Sequence, residues 1–138
     1  MPTDLAFRLI EEVAGLGGEE VTFTGGEPLV DSRLSSLLSH ATGFGLSTVV
    51  FTSGIVYGAE GPHCISKEQI AELVPVLNRV VVSVYSADAL MHDAITQTAG
   101  SLAWTRQAIR LLVAKGVRVE LHFSSHQHEL SRSTSTCR

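Results

Sequence analysis

Apolar residues recur along the chain in two alternating rhythms. Leu5, Leu9, Val13 and Leu16 repeat at helical spacing, and Gly17-Gly18 stops that helix. Val21-Thr22-Phe23-Thr24 reads as a short strand running into Gly25-Gly26-Glu27-Pro28. Leu34, Leu37, Leu38 and Ala41 form a second helical stripe closed by Gly43, and Thr48-Val49-Val50-Phe51 is a buried-strand run rich in β-branched and aromatic residues. Residues 53–65 read as a glycine-rich loop. Ser66 and Gln69 then match a capping box ahead of Ile70, Leu73, Val74 and Leu77, with Pro75 expected to kink or shorten that helix. Val80 to Tyr85 is the clearest strand. A short helix is predicted over residues 88–95. Ser101 is placed as the cap of a longer helix carrying Leu102, Ile109, Leu112 and Val113; Gly116 ends it, and Val117 to Phe123 is the last strand.

Four strands separated by helices imply right-handed crossovers and a parallel sheet. The class is α/β, and both a Rossmann-like layer and a partial TIM-type (β/α) barrel of four to five βα units satisfy the pattern. Residues 1–123 form the expected domain. Ser124 to Arg138 is polar and Ser/Thr-rich without apolar period, and is expected to be a disordered tail.

Composition narrows the function classes. With 44% hydrophobic and 17% charged residues in 138, the body is globular and can build a core. A net charge of −4 and the lack of a basic stripe argue against a nucleic-acid partner. No apolar run reaches membrane-spanning length, and Met1-Pro2-Thr3-Asp4 opens neither a basic leader nor a signal core, so a cytoplasmic location is expected. Cys64 and Cys137 are far apart and form no C-x-x-C pair, which disfavours a disulfide framework.

In parallel α/β folds, function gathers at the C-terminal strand ends. Those ends carry Thr24-Gly25-Gly26-Glu27, Thr52-Ser53-Gly54, Tyr85-Ser86-Ala87-Asp88 and Ser124-Ser125-His126. Paired glycines let the backbone bend and let a ligand approach main-chain atoms. A carbonyl there, together with the Glu27 carboxylate, suits a ligand ammonium group, and Pro28 stiffens the exit. A plain strand-to-helix turn, with Glu27 placed for helix-dipole reasons, is the bland alternative. A phosphate held at the glycine turn of an unrelated doubly wound protein is a third option.

Order and context add a resemblance. Val21 to Leu29, with Gly25-Gly26-Glu27-Pro28, resembles the second barrel strand of the radical S-adenosylmethionine (radical SAM) superfamily and its GGEP motif. The resemblance implies that Gly25, Gly26, Glu27 and Pro28 meet the amino group of adenosylmethionine, with Thr52 and Ser53 at the next strand mouth. Val82-Ser83-Val84-Tyr85-Ser86 resembles the family's fourth strand, whose end contacts the ribose, making Ser83 and Ser86 candidates. His92-Asp93-Ala94-Ile95, Gly100-Ser101 and Ala108-Ile109-Arg110 are similar to the HD-x-I and GS pattern of the peptide-modifying, SPASM-like branch; Gln97-Thr98-Ala99 departs from it.

Family chemistry, as the resemblance implies it, uses three thiolates spaced C-x3-C-x2-C to hold a [4Fe–4S] cluster, which reductively cleaves adenosylmethionine to a 5′-deoxyadenosyl radical. No such triad is present. The expectation is therefore a truncated piece of an enzyme, inactive alone, with the first strand and cluster ligands upstream of Met1. Adenosylmethionine and a peptide or small molecule are its expected partners, with no metal ligands of its own. The alternative is a non-catalytic binding or interaction module that lost the cluster and associates through exposed sheet edges.

Remaining candidates have bland readings. Cys64 beside His63 is expected to be a loop thiol next to a solvated imidazole, and His126, His128 and Cys137 sit in the tail. Trp104 is expected to pack. His92-Asp93 is expected to be structural, capping a helix or covering the strand mouth, because neighbours on a helix point apart. Asp88 and Glu120 are expected to be solvated or capping.

Overall fold

The computed structural model describes residues 1–123. The tail, the strand end Ser124-Ser125-His126 and the His126, His128 and Cys137 candidates lie outside the described residues. Four parallel strands, β1 (Glu20–Phe23), β2 (Ser47–Thr52), β5 (Arg79–Val84) and β6 (Arg118–Phe123), form one sheet in the order β1-β2-β5-β6. Helices α1 (Thr3–Gly15), α2 (Leu34–Gly43), α3 (Lys67–Leu73), α4 (Ala89–Thr96) and α5 (Ser101–Ala114) alternate with the strands. The fold is α/β with a parallel sheet, as the alternating rhythm predicts; that rhythm left a Rossmann-like layer and a TIM-type barrel both open, and the strands here follow chain order across the sheet, as in a section of a TIM-type barrel.

Strand register explains which face the helices cover. Phe23, Val50, Val80 and Val119 are register partners and share one face, joined by Val82 two residues on. That face packs against Leu34 and Leu38 of α2, Ile70 and Leu73 of α3, and Ala108 and Leu112 of α5. The opposite face carries Thr22, Phe51, Arg79, Ser83, Glu120 and His122. At its lower end Arg79 bridges Glu20 at 2.9 Å and Glu120 at 2.6 Å, tying β1, β5 and β6 together. Glu120 is thus an ion-pair partner of Arg79 and Arg118 rather than a solvated or capping carboxylate.

Three expectations change. Residues 53–65 are not a loop: β3 (Ile55–Gly58) and β4 (Gly61–Cys64) form an antiparallel hairpin, with Ile55 opposite Cys64 and Gly58 opposite Gly61. The run Ile55-Val56-Tyr57 supplies β-forming side chains, and Ile55 and Val56 are buried. Cys64 is therefore a strand residue. In α1 the buried face is Ala6 and Ile10, with Phe7 and Ala14 beside them against α2, so the stripe Leu5, Leu9, Val13 is turned outward. Ser101 does not cap α5 with its own side chain; Gly100 is the cap residue, and Asp93 of α4 supplies the acceptors.

The remaining signals act where expected. Ser66 and Gln69 form a reciprocal capping box at α3, and the helix gives way at Val74–Val76 to a 3-10 turn containing Pro75. No helix among the described residues is long and apolar enough to cross a membrane.

Candidate active site

The chain leaves β1 through Thr24 and turns at Gly25 (φ +102°) and Gly26 (φ +51°), two successive residues in the left-handed region. A Cβ at either glycine would meet nothing within 4 Å, so the requirement is backbone conformation and not space. Glu27 then caps a 3-10 turn, Pro28–Val30, whose first proline is buried.

The Glu27 carboxylate is fully engaged by the chain. Its Oε1 accepts from the Thr52 hydroxyl at 2.6 Å and the Leu29 amide at 3.1 Å. Its Oε2 accepts from the Ser53 hydroxyl at 2.6 Å and the Ser53 amide at 2.9 Å. A carboxylate offers about four acceptor positions, and all are used. The network continues: Thr52 Oγ1 accepts from Gly54 N at 2.8 Å, Ser53 Oγ accepts from Ile55 N at 3.2 Å, and Thr105 of α5 donates to the Ser53 carbonyl at 2.8 Å. Glu27 is the strut that joins the mouths of β1 and β2.

Two hollows flank the glycine corner. One, of about 350 Å³, lies over the strand mouths and is lined by Thr24, Gly26, Phe51, Thr52, Ser53, Ser83, Tyr85 and His122. The other, of about 560 Å³, runs along the open edge of β1 and is lined by Leu9, Val13, Gly25, Gly26, Glu27 and Pro28 among others. Thr24 and Gly26 belong to both walls. Of the sequence candidates, Gly26, Thr52, Ser53 and Ser83 therefore meet in one cavity, while Gly25, Glu27 and Pro28 face the second. Ser86 is set apart: it is buried, and its hydroxyl accepts from Asp88 N at 3.0 Å.

Phe51 and His122 line the strand-mouth cavity without having been singled out from sequence; their rings meet edge to face at 6.2 Å. Strand alternation carried the signal, since Phe51 lies two residues before Ser53 and His122 pairs in register with Ser83.

The His92-Asp93 pair is structural. Asp93 accepts from Gly100 N at 2.6 Å, Leu102 N at 3.0 Å and the Ser101 hydroxyl at 2.8 Å, and the Leu102 amide above all holds its carboxyl below the usual range. Ser101 has one proton and gives it to Asp93, so His92 Nδ1, 3.0 Å away, must be the donor to Ser101 Oγ. His92 Nε2 is then a buried acceptor without a partner among the described residues. Asp88 caps α4, accepting from Met91 N at 2.9 Å.

The described residues do not fit a cluster. They contain no group of three or more His, Cys, Asp or Glu able to hold a metal ion. Cys64 is a free thiol on the hairpin, 3.3 Å from the Ile65 carbonyl, and burial pushes its pKa up, away from the thiolate that metal binding requires.

Comparison with known proteins follows this geometry. The family model described as the radical SAM superfamily matches residues 1–126. A PqqA peptide cyclase of Xanthomonas euvesicatoria pv. vesicatoria (strain 85-10) is 30% identical over 124 residues, covering 90% of this chain and 32% of that protein. A PqqA peptide cyclase of Xanthomonas campestris pv. campestris (strain B100) is 31% identical over the same length, covering 31% of that protein. The chain thus spans about a third of the length of these relatives. Among solved structures, a domain of a pyruvate-formate lyase-activating enzyme from Bacteroides vulgatus superposes with a TM-score of 0.61 at 19% identity, over 77% of this chain and 60% of that one. Streptococcus suis SuiB superposes with a TM-score of 0.59 at 13% identity, over 94% of this chain and 35% of that one. At those identities the structures speak to the fold.

Proposed function

The chain belongs to the radical SAM superfamily, an enzyme family, and from that premise we propose that residues 1–123 are the adenosylmethionine-holding part of a larger cytoplasmic enzyme. In complete form it would cleave adenosylmethionine reductively at a [4Fe–4S] cluster and modify a peptide or small molecule. The cyclase relatives, whose name specifies a peptide, support the peptide branch. The single observation that carries the proposal is the meeting of Thr24, Gly26, Ser53 and Ser83 around one cavity at the strand mouths.

The residues present suit adenosylmethionine in part. Successive left-handed glycines leave main-chain atoms open beside the cavity, where an ammonium group finds carbonyl acceptors. Glu27, with its acceptor positions filled, serves by holding Thr52 and Ser53 in place and so fixing the corner. Ser83, in the wall of that cavity, would meet the ribose. Ser86 acts at one remove, by fixing the turn after β5. When bound, adenosylmethionine supplies a sulfonium whose C–S bond is the one broken in the family reaction. No step of that reaction follows from this chain, because the described residues lack the thiolates for the cluster.

The test is anaerobic reconstitution of the 138-residue chain with iron and sulfide, followed by calorimetric titration with adenosylmethionine. The proposal expects no stoichiometric iron or sulfide, and weak binding that Gly26→Val abolishes. Stoichiometric iron and sulfide, or an affinity indifferent to Gly26→Val, would contradict it.

A further inference from the structure

The strand-mouth cavity has a neighbour. A second hollow, of about 400 Å³, shares Ser53 and Tyr85 with it and lies between the β3–β4 hairpin and the end of α4. The hairpin supplies Ile55 and Tyr57, which share one face of β3 by strand alternation. Ile95 and Thr96 of α4, and Thr98 just after it, complete the wall. All of these residues fall between 53 and 98, around β2 and β5, the two strands that are paired on both sides in the sheet. The middle of the chain builds this hollow.

Its lining is selective. No charged side chain is part of it. Most of its hydroxyls are already committed: Ser53 donates to Glu27 at 2.6 Å, and Thr98 to the Thr96 carbonyl at 3.1 Å. Thr96 Oγ1 is engaged by the His92 carbonyl at 3.1 Å and by Ser101 Oγ at 2.7 Å. Tyr57 and Tyr85 differ, since among the described residues neither phenol has a hydrogen-bond partner. The Tyr85 ring also packs beside the buried His92 ring, with centroids 5.8 Å apart, so that part of the wall is fixed before a ligand arrives. A ligand meets isoleucine side chains, aromatic rings and phenol donors, but no counter-charge. Phenols can bind carbonyl oxygens, whereas a charged side chain entering here would give up water for nothing.

We infer that this second hollow is the substrate subsite, and that it takes an uncharged apolar or aromatic side chain of a peptide, with Tyr57 and Tyr85 donating to the peptide's carbonyls. Its role as a substrate subsite rests on the adenosylmethionine reading of the adjoining cavity. The shared wall gives the arrangement its use. A side chain seated against Ser53 and Tyr85 lies next to the place of adenosylmethionine, and reaction between two bound groups requires that closeness.

The test is nitrogen-15 NMR of the full chain, titrated first with adenosylmethionine and then with tripeptides blocked at both ends. The tripeptides carry phenylalanine, glutamate or lysine between two glycines. The phenylalanine peptide is expected to shift the amides of Ile55, Tyr57, Ile95 and Thr98 saturably, and to bind at least roughly tenfold more tightly than either charged peptide. Tyr57→Phe should weaken it about threefold to tenfold, and Tyr57→Asp should turn the preference toward the lysine peptide. Both variants should leave the adenosylmethionine shifts at Gly26 unchanged, and Tyr57 is 60% exposed, so neither removes core packing. If adenosylmethionine shifts Gly26 but no peptide shifts the hairpin and α4 amides, or all three peptides bind alike, the subsite is overturned and the cofactor reading stands. Shifts of Ile95 and Thr98 by adenosylmethionine itself would assign the hollow to the cofactor and overturn the subsite too. An absence of any adenosylmethionine shift removes the cofactor reading, and the substrate role with it.

Discussion

The hydroxyl of Thr52 donates to Glu27 Oε1 at 2.6 Å across a gap of 25 residues, and this bond fastens the mouth of β2 to the corner that follows β1. Thr52 is buried, so its hydroxyl has no water to fall back on. Glu27→Ala strands this hydroxyl together with the Ser53 amide, and is expected to cost roughly 2–4 kcal/mol of stability. Urea unfolding measures it. A change below about 0.5 kcal/mol would mean the strut is unimportant. Thr52→Val should reproduce a good part of the loss.

Asp93 accepts from the main chain at the start of α5 from a neighbouring helix, and Asp93→Ala should destabilise by about 1–2 kcal/mol. Asp88→Ala, which removes an exposed cap at the short helix α4, should cost less. If the two losses come out in the reverse order, the capping account of Asp93 is wrong.

Gly54, between β2 and β3, lies against Ala108 of α5. Its φ is +76°, and an added Cβ would lie 2.5 Å from the Ala108 Cβ. Gly54→Ala is expected to cost at least about 2 kcal/mol, from backbone strain plus overpacking. Ala108→Gly in the same chain should recover the packing part only. Thermal unfolding of the two single variants and the double variant separates the contributions, and full additivity would deny the contact.

The alternation of apolar rhythms is enough to place the five α-helices, the four strands of the parallel sheet and the parallel class, because a buried strand or helix face repeats with a fixed period. Val80-Val81-Val82 and Leu34, Leu37, Leu38, Ala41 are buried as their spacing requires. The rhythm failed where burial depends on partners outside the element. The face of α1 that is buried is set by where α2 lies, so Ala6 and Ile10 are covered while the larger Leu5 and Leu9 are not. The β3–β4 hairpin was hidden by its glycines and Pro62, which read as loop residues although a two-stranded ribbon tolerates them. At the candidate site, sequence singles out Glu27, Thr52 and Ser53 but not that they bind one another, since a residue list carries no lone-pair count.

His92 makes stability depend on pH. Burial lowers its pKa below the ordinary value near 6.5, and among the described residues its Nε2 has no partner to stabilise a second proton. Above pH 6.5 the imidazole is neutral both folded and unfolded, and there is no effect. As pH falls below 6.5 the unfolded chain takes up the proton first, so folding stability drops until the depressed folded-state pKa is reached. Asp31, held at about 2 chiefly by the Arg33 side chain, adds a separate loss only at much lower pH, below its ordinary 3.8. Urea midpoints measured between pH 7 and pH 5 should fall for the wild type and stay flatter for His92→Gln. Parallel curves for the two would exclude His92 as the cause.

The most direct test of the strand-mouth cavity as the adenosylmethionine site is a titration of the nitrogen-15-labelled chain with adenosylmethionine, followed by NMR. Amide shifts should concentrate at Thr24, Gly25, Gly26, Ser53, Ser83 and Tyr85 and leave the α3 surface unmoved. Saturable shifts confined to another region, or none at millimolar ligand, would contradict the assignment.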